Sequence, residues 1–245
     1  MPLVLSFDMG LRNLSYCLLE WDEISGTSKI QDWRVCNVVG EKNAKTMSIE
    51  QAGIMLLDFL CDRFSEGPDS HATVVAIEQQ PVGRRVTSNI RMKVLSHVVH
   101  TFFYLRGYQV RFVSPKRKLE GLEQSKEKAN KARYAHNKRI AVEHCRDVLQ
   151  TQDDMWSDYF DGLNKKDDAA DSLLQGLVVV GDSKKANQKA AEKAAKAAAR
   201  AKVKLEKEAA KEGRRKAREE KATLKRKVTE EKEAKRRVKQ KVVGH

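Results

Sequence analysis

The chain of 245 residues predicts an α/β or α+β domain, a mixed β-sheet flanked by helices, followed by a basic, partly helical tail. Three observations carry that expectation. Five short apolar runs have the length and punctuation of strands. Their order, three adjoining strands, a helix, then strand, helix, strand, helix, helix, is that of a sheet covered on its faces. From about Ser183 the composition turns abruptly to Ala, Lys, Glu and Arg, with no aromatic residue after Phe160.

Leu3–Phe7 is the first apolar run, and Leu14–Trp21 follows it after a turn that contains Gly10 and Asn13. Asp32–Val39 reads as the third strand, with Trp33, Val35 and Val39 on one face. From Met47 to Phe64 the period becomes helical, the stripe being Ile49, Ala52, Leu56, Leu57, Leu60 and Phe64. Gly67-Pro68 breaks that helix ahead of a fourth strand, Thr73–Ile77. Thr87 to Arg106 reads as a helix with Ile90, Val94, His97, Val98 and Phe102 inward. Gln109–Val113 is the fifth strand, stopped by Ser114-Pro115. Residues 114–134 are very polar and read as a loop or an ordered insertion. Lys126–Leu149 and Lys166–Val180 complete the helices.

Charge divides the chain. Residues 183–245 hold 24 Lys and Arg against 9 Asp and Glu, while residues 1–182 hold 24 against 25. We therefore expect a near-neutral domain, 1–182, and a solvated basic arm, 183–245. Within the domain, residues 84–139 carry 15 basic and only 3 acidic side chains, and the acids gather elsewhere, as between Asp153 and Asp171. A basic surface beside an acidic pocket suits a polyanion held near a metal site. The four cysteines have no paired spacing, so reduced and buried thiols are expected. No apolar stretch approaches the ~20 residues of a membrane helix, and the first strand begins at Leu3, which leaves no room for a targeting segment. An intracellular protein in a DNA-containing compartment, with no membrane partner, is the expectation.

The chemistry lies in carboxylates. Asp8 ends the run Leu3-Val-Leu-Ser-Phe-Asp-Met-Gly-Leu-Arg-Asn13, and Gly10 permits a tight turn there. Glu78 ends the run Val74-Val-Ala-Ile-Glu78. Asp168 and Asp171 lie one helical turn apart at the start of a helix. Spacing leaves Asp167 as a competitor, because it too has Asp171 one turn ahead. Carboxylates are costly to bury together without a cation, so four of them argue for divalent metal and for an enzyme acting on phosphodiesters. Lys116, Arg117 and Lys118 follow the fifth strand, where a cation can stabilise charge at a scissile phosphate. Lys118 is the chosen catalytic candidate. The others, with Arg84, Arg85, Arg91, Lys93, Lys138 and Arg139, are candidates for DNA backbone contacts.

At these positions the chain resembles the ribonuclease-H-like superfamily, and most of all RuvC-type Holliday junction resolvases of the poxvirus and mitochondrial branch. The resemblance rests on Ser6-Phe-Asp-Met-Gly-Leu-Arg-Asn-Leu-Ser-Tyr-Cys17, Ile77-Glu-Gln79, Phe112-Val-Ser-Pro115 and Lys165-Lys-Asp-Asp-Ala-Ala-Asp171, in the family's order over residues 3–180. It implies a five-stranded ribonuclease-H-like sheet, a homodimer, and two Mg2+ ions per site, with Mn2+ as substitute. The implied ligands are Asp8, Glu78, Asp168 and Asp171. Also implied are paired, symmetric nicks in a four-way DNA junction. One departure is Pro81, where bacterial members place an aromatic wedge.

Other readings stay open at this point. A ribonuclease H or a flap or replication-fork nuclease would share the same carboxylates. A non-catalytic DNA-binding protein would explain the basic arm and leave the carboxylates without a role. An actin-like kinase needs a second Asp-x-Gly phosphate loop, which is absent here.

Overall fold

The computed structural model describes residues 1–242 apart from 24, 43, 45, 81–87 and 121–129. Its strands are β1 (Leu3–Asp8), β2 (Leu14–Trp21), β3 (Ser28–Cys36), β4 (Thr73–Glu78) and β5 (Gln109–Val113). The helices are α1 (Ile49–Phe64), α2 (Ser88–Tyr104), α3 (Asn130–Leu149), α4 (Asp154–Gly162) and α5 (Lys166–Val242), with a 3₁₀ turn at Pro115–Leu119. The strands form one mixed sheet in the order β3-β2-β1-β4-β5. β1, β2 and β3 pair antiparallel, whereas β4 and β5 run parallel to β1. That is the mixed five-stranded sheet expected from the sequence.

Strand alternation sorts the side chains into two cores. Leu5 and Phe7 of β1 and Val75 and Ile77 of β4 enter the core beneath α1 and α2. Val4, Ala76 and Val113 enter the opposite core, beneath α3, α4 and α5. Asp8 and Glu78 have the parity of Val4 and Ala76, so both point to the α5 side of the sheet. In the parallel register Phe7 lies beside Ile77, which brings the two strand ends side by side. Gly10 is required just beyond: a Cβ there would sit 2.7 Å from the Asn13 carbonyl oxygen.

Contacts divide the chain into a unit of Met1–Lys185 and a unit of Ala186–His245. In the first, α1 starts from a capping box in which the Gln51 amide donates to Ser48 Oγ at 3.0 Å. Among its stripe, Ala52, Leu56, Leu60 and Phe64 are buried, while Ile49 and Leu57 are exposed. The second unit is helical throughout its described length, beyond the partial helix expected of the arm.

Several sequence expectations need correction. β3 starts at Ser28, four residues before the expected Asp32, and it ends at Cys36. The reason is a tight connection from β2: Asp22 and Thr27 close it with a 2.9 Å hydrogen bond, and Gly26 takes a positive φ of 71°. α4 was not expected; Trp156 and Phe160, one turn apart, bury it against Trp33, with Trp33 and Phe160 stacked at 5.4 Å. The inward face of α2 is Leu95, Val99, Phe102 and Phe103, so Ile90, Val94 and His97 face outward. Cys17 and Cys145 are buried thiols, but Cys61 is exposed.

Candidate active site

The carboxylates reach one place because α5 is fastened to the sheet by buried polar groups. Gln175 Nε2 donates to the carbonyls of Phe7 and Ala76, each at 3.1 Å, and so ties the helix to β1 and β4 together. Ser6 Oγ donates to the Ser172 carbonyl at 2.6 Å, and the Ser15 and Ser172 hydroxyls lie 2.7 Å apart. Trp33 Nε1 donates to the Ala169 carbonyl at 3.2 Å. Gly176 lets the helix come this near, since a Cβ would meet Leu19 Cδ1 at 2.7 Å and Ser6 Oγ at 3.0 Å. Asp171 stands one turn before Gln175 and thus above the ends of β1 and β4.

At the centre is a lysine. Lys118 Nζ lies 3.0 Å from Glu78 Oε1 and 3.1 Å from Asp171 Oδ2, so those two oxygens are no more than about 6 Å apart. The lysine side chain is only 5% exposed. Burial alone would favour loss of its proton, but Asp171, Glu78 and Asp8 hold its pKa above the ordinary value. Burial pushes the Asp8 carboxyl well up, and the neighbouring Glu78 charge adds to that. Burial would also raise Glu78, yet the Lys118 ammonium and hydrogen bonds from Asp8, Lys118 and Gln80 bring it below the usual range. Asp171 is raised by burial, against the opposing pull of Lys118.

These groups open into a cleft of about 370 Å³, which Asp8, Glu78, Lys118, Asp168 and Asp171 line together with Lys138. At the start of α5, Asp167 and Asp168 both line the cleft, and Lys138 pairs with Asp167 and lies 5.0 Å from the Tyr134 ring centroid. Lys138 lowers the Asp167 pKa against the effect of burial. Asp168 is raised, by burial and then by Asp167. Among the described residues no group of three or more His, Cys, Asp or Glu is arranged to hold a metal ion as it stands. The cluster instead meets its charge with the internal ammonium of Lys118. Oxygen-only donors that demand this much positive charge fit a hard divalent cation.

The expected basic contacts divide. Lys116, Lys118 and Lys138 line the cleft. Arg117 does not: it forms a bidentate pair with Asp182 at 2.8 and 2.8 Å, fixing the 3₁₀ turn to α5. Arg111 joins from β5, 3.8 Å from Asp182, and donates to the Val179 carbonyl at 3.2 Å. Arg91 donates to the Ser48 carbonyl at 3.4 Å and thereby ties α2 to the start of α1. Lys93 and Arg139 do not line the cleft, and Arg139 lies 3.6 Å from Glu143. Arg84, Arg85 and Pro81 lie outside the described residues. Sequence reasoning did not single out Ser172, Gln175, Gly176 or Asp182. The first two were legible in principle, because they continue the polar line of Asp168 and Asp171 along one face of α5.

Known proteins match the chain in part. Residues 4–80 match the family of the mitochondrial resolvase Ydc2 / RNA splicing MRS1, in its catalytic part. The match covers β1 to β4, including Asp8 and Glu78, and stops before Lys118 and α5. No curated protein matches the sequence. Three solved resolvase structures are similar to the chain. The Fowlpox virus resolvase in complex with Holliday junction DNA is 21% identical, over 74% of this chain and 97% of that one, with a TM-score of 0.47. The yeast mitochondrial resolvase Ydc2 is 17% identical, over 78% and 83%, with a TM-score of 0.48. RuvC of T. thermophilus, in complex with a Holliday junction substrate, is 16% identical over 72% and 91%, with a TM-score of 0.43.

Proposed function

We propose that this protein is a structure-specific endodeoxyribonuclease that resolves four-way DNA junctions by metal-dependent hydrolysis of phosphodiesters. The observation that carries this reading is the convergence of Asp8, Glu78 and Asp171 on Lys118 in an open cleft that Asp168 shares. Such a set has no structural purpose that an apolar core would not serve better. The matched resolvase family supports the choice of substrate. Residues 1–182 form the nuclease domain in this reading and residues 183–245 a basic arm. Among the described residues no helix is long and apolar enough to cross a membrane, and a DNA-containing compartment is where such an activity belongs.

Nucleases of this fold use divalent metal. The ion proposed here is Mg2+, two per site, with Mn2+ as substitute, held by Asp8, Glu78, Asp168 and Asp171. Asp168 is preferred over Asp167 because Lys138 engages Asp167. When bound, such a pair supplies an activated water and stabilises the leaving oxygen. The chain's own residues do the remainder. Lys118, beside Glu78 and Asp171, balances the negative charge that grows on the phosphate. Lys116 and Lys138, at the cleft wall, hold the flanking backbone.

A junction with two-fold symmetry calls for a two-fold symmetric enzyme with one site per strand. The surface offered to a second copy of this chain is the outward face of α2. There Ile90 is 58%, Val94 41% and Tyr104 64% exposed, and Ile90, Val94, His97, Thr101 and Tyr104 follow at spacings of four, three, four and three residues. The test of the whole reading is side-by-side incubation with labelled four-way junction, flap and RNA–DNA hybrid in Mg2+. Paired symmetric nicks in the junction are the expected result. Preferential cleavage of the hybrid or the flap would make this chain a ribonuclease H or a flap nuclease instead.

A further inference from the structure

We propose that the C-terminal unit carries a one-sided phosphate-binding ridge, and that its occupant is the backbone of duplex DNA. The choice of DNA rests on the function proposed above; the ridge does not. In the helix of this unit, Lys189 is followed by Lys193, Lys196 and Arg200 at steps of four, three and four residues. The pattern skips one turn at Val203, resumes at Lys207 and Lys211, and runs on to Lys225. At 3.6 residues per turn these positions fall within a sector ~80° wide along ~54 Å of helix. Every glutamate of the segment, Glu192, Glu206, Glu208, Glu212, Glu219 and Glu220, lies outside that sector.

Two further observations separate this ridge from an ordinary wetted face. The first is where the ion pairs go. Glu219 takes Arg215 at 3.7 Å and Glu212 takes Lys216 at 3.1 Å, and both of these basic residues lie off the ridge. No ion pair among the described residues engages the ridge cations. The second is a surface recess lined by Lys211, Arg214 and Arg218 of the ridge with only Arg215 from off it, and with no carboxylate on its wall. Like charges three and four residues apart cost an isolated helix ~0.2–0.5 kcal/mol each. A helix shaped only to persist in water would interleave its acids among its bases. Here the bases are stacked and the acids sent elsewhere, an arrangement that a polyanion relieves.

The occupant must be long, continuous and anionic. Duplex DNA carries one charge per ~1.7 Å of axis, and ~54 Å corresponds to about one and a half of its ~34 Å turns. A lipid surface is a poorer fit, because Val203 is the single apolar side chain between Lys189 and Lys225 that interrupts the ridge, and amphipathic membrane helices need an apolar face.

The test uses the full chain, without divalent metal, on a labelled junction-free duplex of about three helical turns titrated over a range of NaCl. One variant removes four ridge charges: Lys193→Gln, Lys196→Gln, Arg200→Gln and Lys207→Gln. A second removes four from the other faces: Lys202→Gln, Arg215→Gln, Lys216→Gln and Arg226→Gln. Circular dichroism checks that helix content is equal. The ridge variant is expected to flatten the log affinity–log salt slope by up to ~3.6, at ~0.9 for each phosphate that is no longer neutralised. The off-ridge variant is expected to change it by less than the share of a single phosphate. Lys193→Arg, Lys196→Arg and Lys207→Arg together are expected to keep the native slope. Equal losses in the two quadruple variants would overturn the ridge, since charge would then act without regard to face. Stronger ridge-dependent binding to phosphatidylserine vesicles or to polyglutamate than to duplex would overturn the occupant. Because no cleavage is read, loss of the nuclease reading leaves this result standing, and the converse also holds.

Discussion

Replacing Lys118 with Met removes one charge and little volume, so it isolates the electrostatic work of that side chain. Glu78 and Asp171, whose side chains are 15% and 29% exposed, then face each other without the ammonium that lies 3.0 and 3.1 Å from them. Breaking a buried pair from one side costs ~3–5 kcal/mol. Protonation sets a ceiling. A glutamate with the ordinary value of 4.5 can take a proton at pH 7 for about 3.4 kcal/mol, at 1.36 per pH unit. We therefore expect Lys118→Met to lose about 3 kcal/mol at pH 7, and Tm to fall by roughly 6–12 °C for a domain of this size. The sign with pH follows from a Glu78 pKa raised in the variant. The folded state then binds its proton more tightly than the unfolded chain, so the deficit is smallest at low pH and grows as pH rises towards 7. Adding Mg2+ should raise the Tm of the variant more than that of the native protein, because the ion takes over the missing charge. Thermal melts at pH 5, 6 and 7, with and without Mg2+, measure all of this. Equal Tm values for the two proteins without metal, or an equal shift on adding it, would refute the reasoning.

Asp8→Asn and Asp171→Asn should each abolish junction cleavage while junction binding, read by gel shift, stays within a few-fold; full cleavage by both would remove the site. Arg117→Ala should cost ~1 kcal/mol, as a partly exposed bidentate pair does, and should lower kcat more than substrate affinity by loosening the turn that carries Lys118. Arg117→Lys should restore less than half of that kcat. The Asp182 carboxyl is held low by Arg117, so its contribution is fully present above the ordinary value of 3.8 and is lost as pH falls below that value through the lowered folded one; acid unfolding of Asp182→Asn should lack that portion of the pH dependence. Val94→Glu should convert a dimer to a monomer in light scattering with Tm little changed, since Val94 is 41% exposed; an unaltered mass would move the dimer surface off α2.

Where sequence revealed structure, it did so through period and punctuation. β2 and β5 were legible residue for residue because they are apolar runs bounded by turn residues. Asp8 and Glu78 were legible because each is the polar end of such a run. The parity that turns both towards α5 needs the sheet, although it was already implied by the alternation of Val4, Ser6 and Asp8. α2 misled because its outward face is almost as apolar as its inward one, so amphipathicity gave the wrong rotation for Ile90 and Val94. α4 escaped notice because Trp156 and Phe160 sit among aspartates that read as loop. Nothing in the sequence set Lys118 apart from its two neighbours, and the resemblance offers no unique match among the three. The structure separates them physically: Lys118 turns into the carboxylates, Arg117 is spent on Asp182, and Lys116 lines the wall. No pattern in the sequence reported that Gln175 would span two strands.

The Gln175 bridge limits how the domain can err. A helix seated by greasy contacts alone can slide a notch and still find something comfortable. Here a shift of one turn would strand the carbonyls of Phe7 and Ala76, the Ser6 and Ser15 hydroxyls and the Trp33 indole all at once. The aspartates on α5 are thus delivered in one position or not at all. An engineer who replaced this seam with Leu and Val to gain robustness would obtain a sturdy body whose acidic teeth no longer meet.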